Sequence, residues 1–159
     1  MGDFIDDVPP GAIVAIDNGG RPDATVWGDI MTLYAHNRGI GGTVIDGACR
    51  DTHLALDLGY PLYSRSYSMR TGKDRVQLET VQTTVNIGDA RVRPGDILRG
   101  DSDGVIAIPQ DREDEVLRTA EAIDAAENRI RDAILSGMSL ADARKQQGYH
   151  TLQTPEAKD

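Results

Sequence analysis

Cysteine is nearly absent from this chain. Cys49 is the only one in 159 residues, which rules out an internal disulfide framework and leaves thiolate metal clusters short of ligands. Cys49 has no evident base beside it in the sequence, so a buried structural thiol is expected rather than a nucleophile. Histidine is scarce as well: His36, His53 and His150 are far apart and show no His-x-x-x-His or Glu-x-x-His spacing, which argues against zinc. The only lysines are Lys73, Lys145 and Lys158, and none stands in the apolar strand context expected of a Schiff-base lysine. No run approaches the roughly 18 apolar residues of a membrane span. Met1 to Asp7 has no basic region followed by an apolar stretch, so no membrane partner is expected and a reducing cytoplasm is the expected compartment. Gly2 follows Met1 as in a myristoylation signal, but Asp6 stands where that signal needs Ser or Thr. Positive charge is also in deficit, with 17 Lys and Arg against 26 Asp and Glu, a net charge of -9. That balance argues against binding along a nucleic-acid backbone, which needs clustered cations, while one Arg can still hold a small carboxylate.

What is present suits one α/β domain over residues 1–150, with a polar, mobile tail over 151–159. Ala12 to Ile16 is a short apolar run bounded by Pro9-Pro10-Gly11 and Asp17-Asn18-Gly19-Gly20, as expected of a buried strand that ends in a sharp turn. Residues 28–38 carry apolar or small side chains near helical spacing, and Gly42 to Ile45 reads as a second strand. Strand, helix and strand in that order make a parallel β-α-β unit. Thr52 to Leu58 reads as a short helix with Asp51 or Thr52 as its cap, and Pro61 to Arg65 as a further strand. Beyond Val85, short β-like pieces separated by Gly-Asp and Pro-Gly turns suggest antiparallel hairpins. Residues 111–136 form one long amphipathic helix, with Val116, Leu117, Ala120, Ile123, Ala126, Ile130 and Ile134 near three-and-four spacing. Gly137 ends it, and Ser139 caps a short helix to about Gln147.

Three places could carry chemistry. Arg50 and Asp51 follow a buried strand at its carboxyl end, where open α/β sheets place ligands. They form a local ion pair or helix cap on one reading. On the other, Arg50 binds a substrate carboxylate and Asp51, a hard oxygen ligand, holds a divalent cation. Trp27-Gly28-Asp29-Ile30-Met31 opens the first helix, whose unpaired N–H groups and positive dipole end attract anions; alternatively Gly28 only permits the turn and Asp29 serves the dipole. Gly100-Asp101-Ser102-Asp103-Gly104 looks like half a calcium loop, but Arg112 stands where the twelfth-position Glu belongs, so a tight turn is the stronger reading. Asp46 either supports Arg50 and Asp51 from behind or is a turn residue.

The ordered set Pro10 to Asp17, Ala24 to Asp29, Gly39 to Asp51, Val92 to Asp96 and Gly100 to Pro109 spans most of the chain. It resembles the family that includes 4-hydroxy-4-methyl-2-oxoglutarate aldolases and the regulator of ribonuclease E activity. The resemblance implies a swivelling β/β/α-like α/β fold. It also implies that the backbone of Gly28, Asp29, Ile30 and Met31 and the side chain of Arg50 hold a pyruvyl group while Asp51 binds Mg²⁺ or Mn²⁺. The implied reaction is cleavage of a 4-hydroxy-2-oxo acid, of the 4-hydroxy-4-methyl-2-oxoglutarate or 4-carboxy-4-hydroxy-2-oxoadipate type, to pyruvate through an enolate, with decarboxylation of oxaloacetate. The long helix matches the aldolase branch, in which the acidic position corresponding to Glu127 reaches a neighbouring subunit's metal water in a homotrimer or hexamer. The family usually has a further N-terminal region, and only about ten residues precede the first matching strand here, as in a truncated or split member. Two other readings stay open: a non-catalytic regulator that binds a ribonuclease or other protein, and a homologue acting on a different small acid.

Overall fold

Three parallel strands in the order β1 (Ile13–Thr25), β2 (Gly42–Cys49) and β3 (Leu62–Tyr67) make the main sheet of the computed structural model, which describes residues 2–152 and 154. Every residue of β2 is buried. This central strand is rich in Val, Ile and small residues because both of its edges and both of its faces are covered. Helix α1 (Asp29–Asn37) connects β1 to β2, and helix α2 (Thr52–Leu58) connects β2 to β3. The first crossover is the β-α-β unit expected from the sequence, and the second repeats it with β3 also parallel to β2. Val14, Trp27, Ala35, Ile45, Cys49, Ala55 and Tyr60 supply most of the core where the helices meet the sheet.

The first strand differs from expectation. Instead of turning away at Asp17, β1 continues through Gly19 and Gly20 to Thr25. It pairs in regular register from Ile13–Gly42 to Asp17–Asp46, then only at Arg21–Gly47 and Thr25–Ala48. Twice, therefore, β1 advances four residues while β2 advances one. The excess chain bulges out and returns to the same partner. Asn18 closes the base of this excursion by donating from Nδ2 to the Ala24 carbonyl (3.1 Å). Its side chain crosses directly over Gly47, where a Cβ would lie 2.8 Å from Asn18 Cβ. The second strand also runs past its expected end at Ile45, on to Cys49.

Two antiparallel hairpins follow, β4 (Val85–Ile87) with β5 (Ala90–Val92), and β6 (Ile97–Gly100) with β7 (Val105–Ile108). Asp96 fixes the turn before β6, its carboxylate accepting from the Arg93 and Gln110 N–H groups (2.8 and 3.1 Å), and these bonds hold its pKa below the usual carboxylate range. Gly100 to Gly104 is the tight turn of the second hairpin, closed by Asp101 N–H on the Gly104 carbonyl (3.0 Å).

The chain divides into two compact units at Gln110 and Asp111. The second contains helix α3 (Glu113–Leu135) and helix α4 (Leu140–Gln146), the latter capped by Ser139, which accepts from the Asp142 N–H. The apolar stripe expected on α3 is only partly covered. Ala126 and Ile130 are its buried residues, whereas Leu117 and Ile134 are exposed. Of the tail expected to be mobile, residues 153 and 155–159 lie outside the described residues; Tyr149–Thr151 forms a 3-10 turn.

Candidate functional site

The returning end of β1 is what builds the site. Val26 N–H donates to the Ala48 carbonyl (3.2 Å) and Arg50 N–H to the Trp27 carbonyl (3.1 Å), so two stretches more than twenty residues apart in sequence run side by side. Trp27, 2% exposed, fixes the junction. Its ring stacks on Tyr60, with centroids 6.5 Å apart, and its Nε1–H donates to Thr32 Oγ1 (2.9 Å). The Thr32 hydroxyl in turn donates to the Gly28 carbonyl (3.0 Å), and Tyr60 and Thr43 share a hydroxyl bond of 2.8 Å. A buried polar chain of this kind holds the backbone at Gly28 in one place.

Gly28 meets Arg50 and Asp51 at close range. A Cβ on Gly28 would stand 3.0 Å from Asp51 Oδ2 and 3.2 Å from Arg50 Nε. The backbone of Gly28 is extended (φ -150°) and acceptable to any residue, so the absence of a side chain is a steric requirement. Arg50 Nε lies 3.2 Å from Asp51 Oδ2, with roughly 40% of each side chain exposed. The local ion pair is thus present. The contact is made at Nε, and among the described residues neither Nη group of Arg50, nor Oδ1 of Asp51, makes a hydrogen bond.

Helix α1 begins at the same point. The Thr32 N–H is the first to bond back, to the Gly28 carbonyl (3.0 Å), so the N–H groups of Asp29, Ile30 and Met31 have no intrahelical acceptor. The Ile30 N–H is occupied by Asp29 Oδ1 (2.8 Å). Gly28, Asp29, Ile30, Met31 and Arg50 all line one cleft of about 760 Å³. Asp51, one of the two caps expected for α2, holds its N-cap place in a left-handed conformation (φ 55°, ψ 34°) but makes no side-chain capping bond.

Other residues expected at the site have partners of their own. The Asp46 carboxylate, on β2, is buried and bonded to Arg65, and it is not among the residues lining the cleft. Glu127, on α3, pairs with Arg131 (2.9 Å). Cys49 is fully buried against Ser64 Oγ (3.1 Å), and loss of solvation pushes its thiol pKa up. Among the described residues no three His, Cys, Asp or Glu side chains cluster as a metal site, and no helix is long and apolar enough to cross a membrane.

The structure adds a residue that sequence patterning passed over. Lys73 lines the same cleft as Arg50, on the irregular segment between β3 and β4. Its isolation from any motif or periodic element hid it.

Comparison with known proteins adds relatives to this geometry. The family model described as RraA-like, Aldolase/RraA, matches residues 1–107. The protein DlpA of Legionella pneumophila is 40% identical over 146 residues, covering 92% of this chain and 24% of that protein. A Halalkalibacterium halodurans protein named "Putative 4-hydroxy-4-methyl-2-oxoglutarate aldolase" is 31% identical, over 83% of this chain and 62% of its own length. This chain therefore spans less than two thirds of both relatives. A crystal structure of an uncharacterized protein from Pseudomonas syringae pv. tomato matches with a TM-score of 0.88 and 43% identity, covering 91% of this chain and 68% of that one.

Proposed function

The chain belongs to the RraA-like, Aldolase/RraA family, and from that premise we propose that it is a divalent-metal-dependent lyase releasing pyruvate from a small 2-oxo acid at the Gly28–Arg50 cleft. The observation that carries this reading is the empty Cβ position of Gly28, which lets Arg50 and Asp51 lie against the start of α1. Arg50 and the first turn of α1 line the cleft, and Asp51 touches Arg50 without being among the residues that line it; a cation, a helix N-terminus and a hard oxygen ligand are what a 2-oxo carboxylate and its metal call for.

Asp51 suits a cation that keeps most of its water. It is one carboxylate, about 43% exposed, and Mg²⁺ or Mn²⁺ is commonly held by one or two carboxylates together with water and substrate. When bound, such a cation would supply Lewis-acid polarisation of the 2-oxo group. The chain's own residues do the rest. The Nη groups of Arg50 and the Asp29 and Met31 N–H groups in the first turn of α1 hold the pyruvyl end, where charge develops on the 2-oxo oxygen. In a 4-hydroxy-2-oxo acid the C3–C4 bond breaks, and its electron pair passes into a pyruvate enolate. The C4 hydroxyl loses its proton as the second carbonyl forms, and the enolate is then protonated at C3. From 4-hydroxy-4-methyl-2-oxoglutarate the products are two pyruvates; from oxaloacetate, carbon dioxide leaves and the same enolate remains. We further propose a cytoplasmic homotrimer or hexamer in which Glu127 serves a neighbouring copy.

Pyruvate release from oxaloacetate with Mg²⁺ or Mn²⁺ tests the assignment. Arg50→Ala is expected to lower kcat/KM by about 100-fold or more, and Asp51→Ala to remove the response to metal. Activity that survives both substitutions, or that ignores a chelator, sinks it. A folded, metal-supplied chain with no activity would favour the protein-binding side of the family.

A further inference from the structure

The cleft, about 760 Å³, is larger than a pyruvyl group requires, and its lining carries a second cation. Among the described residues Arg50 and Lys73 are the only Arg or Lys lining it. Lys73 sits on a braced turn. Arg75 and Val76 N–H groups donate to the Gly72 carbonyl (2.9 and 3.0 Å). The Arg75 guanidinium donates to the carbonyls of Thr71 and Lys73 (both 3.2 Å). The turn is tied to β1 at two points: Arg21 donates to the Arg75 carbonyl (3.2 Å), and the Thr25 N–H and hydroxyl both donate to the Arg70 carbonyl (3.1 Å). The wall that bears Lys73 is therefore fixed to the same strand that delivers Gly28.

Among the described residues the Lys73 ammonium has no ion-pair partner, although the chain carries an excess of acid. Three carboxylates, Asp3, Asp29 and Asp74, also line the cleft. An anionic ligand is consequently held only where the two cations reach it, and the separation of its charged ends becomes the selected property.

Resting on the pyruvyl-site reading above, we infer that Lys73 is a specificity-determining residue that receives the distal carboxylate of an extended 2-oxo diacid whose pyruvyl end is held by Arg50. It selects the second product of cleavage without touching the bond that breaks.

Binding separates this inference from the reading it rests on. Trp27, the sole tryptophan, lines the cleft and reports occupancy by its fluorescence. The full chain with Mg²⁺ is titrated with pyruvate and with 2-oxoglutarate, which has a distal carboxylate and no 4-hydroxyl to cleave. The native chain is expected to prefer 2-oxoglutarate by about tenfold, the worth of one charged hydrogen bond. Lys73→Met should cut 2-oxoglutarate binding about tenfold more than pyruvate binding, with an unchanged melting temperature, and Lys73→Arg should restore the preference. Arg50→Ala should weaken both ligands. If Lys73→Met keeps the diacid preference while Arg50→Ala loses both, Lys73 has no such role and the pyruvyl site stands. If Arg50→Ala leaves both ligands bound as before, the pyruvyl site itself is wrong and this inference falls with it.

Discussion

Gly28 is the residue on which the site turns, because its missing side chain is occupied space. Gly28→Ala would bring a methyl group to 3.0 Å from Asp51 Oδ2 and 3.2 Å from Arg50 Nε, while its extended backbone stays acceptable. Both neighbours are flexible, partly exposed side-chain ends, so the fold can relieve the clash by moving them, at a cost of about 1 kcal/mol. The site cannot. Displacing a charge-bearing group by about 1 Å costs on the order of 100-fold in rate. Gly28→Ala is therefore expected to lower kcat/KM by about that factor while shifting the melting temperature by only a few degrees; a loss of stability with activity per folded molecule intact would show that Gly28 serves the fold alone.

The elements explain how much of this was legible beforehand. Helix α1 emerges within a residue of its expected bounds and α2 at its expected bounds, because periodicity and flanking turn residues are local signals. The juxtaposition of Gly28 with Arg50 and Asp51 was foreseeable from two strand ends of one β-α-β unit. The course of β1 was not. Asp17-Asn18-Gly19-Gly20 has the composition of a turn, and only pairing with β2 shows that the chain bulges and comes back. Lys73 was illegible for the same reason, since bonds from Arg21 and Thr25 place its turn at the cleft. Asp46 read in sequence as either a support for Arg50 and Asp51 or a turn residue, and its carboxylate is bonded to Arg65, which lies nineteen positions on. The excursion depends on Gly47, whose Cβ position is filled by Asn18 Cβ at 2.8 Å and Nδ2 at 3.0 Å. Here the obstruction lies beside the backbone in a fully buried strand, so it has little room to yield. Gly47→Ala is expected to cost about 1–3 kcal/mol in urea denaturation and to weaken pyruvate binding as well, because the bulge delivers Trp27 and Gly28. A cost under about 0.5 kcal/mol, the range of neutral surface changes, would mean that Asn18 is not the clamp.

At the scale of the molecule, Asp46 is the one buried carboxylate among the described residues and is paired with Arg65, while the titratable groups packed in the core of the first unit are neutral ones, and these bear on the response to pH. Cys49 and Tyr60 both belong to the core of the first unit, and burial raises both pKa values, by loss of solvation first; the bonds to Ser64 and Thr43 only partly offset it. Each group is neutral when protonated, so the folded chain holds its proton to higher pH than the unfolded chain does. The stability they contribute is complete below the unfolded values, about 8.5 for a thiol and 10 for a phenol. It is lost as pH rises through the folded ones, because over that window the unfolded state binds fewer protons and the slope of stability with pH is negative. Urea midpoints should thus hold steady from pH 7 to about 8.5 and then fall. Cys49→Ala should flatten the first part of the fall, between about pH 8.5 and 10, whatever it does to stability at pH 7. The same thiol in the native chain should react with an alkylating reagent at pH 8 far more slowly than in urea, since the reactive thiolate is suppressed by the burial that raises its pKa. Rapid alkylation of the native chain would place Cys49 in an opening segment and remove it from this account of alkaline sensitivity, leaving Tyr60 as the group that titrates.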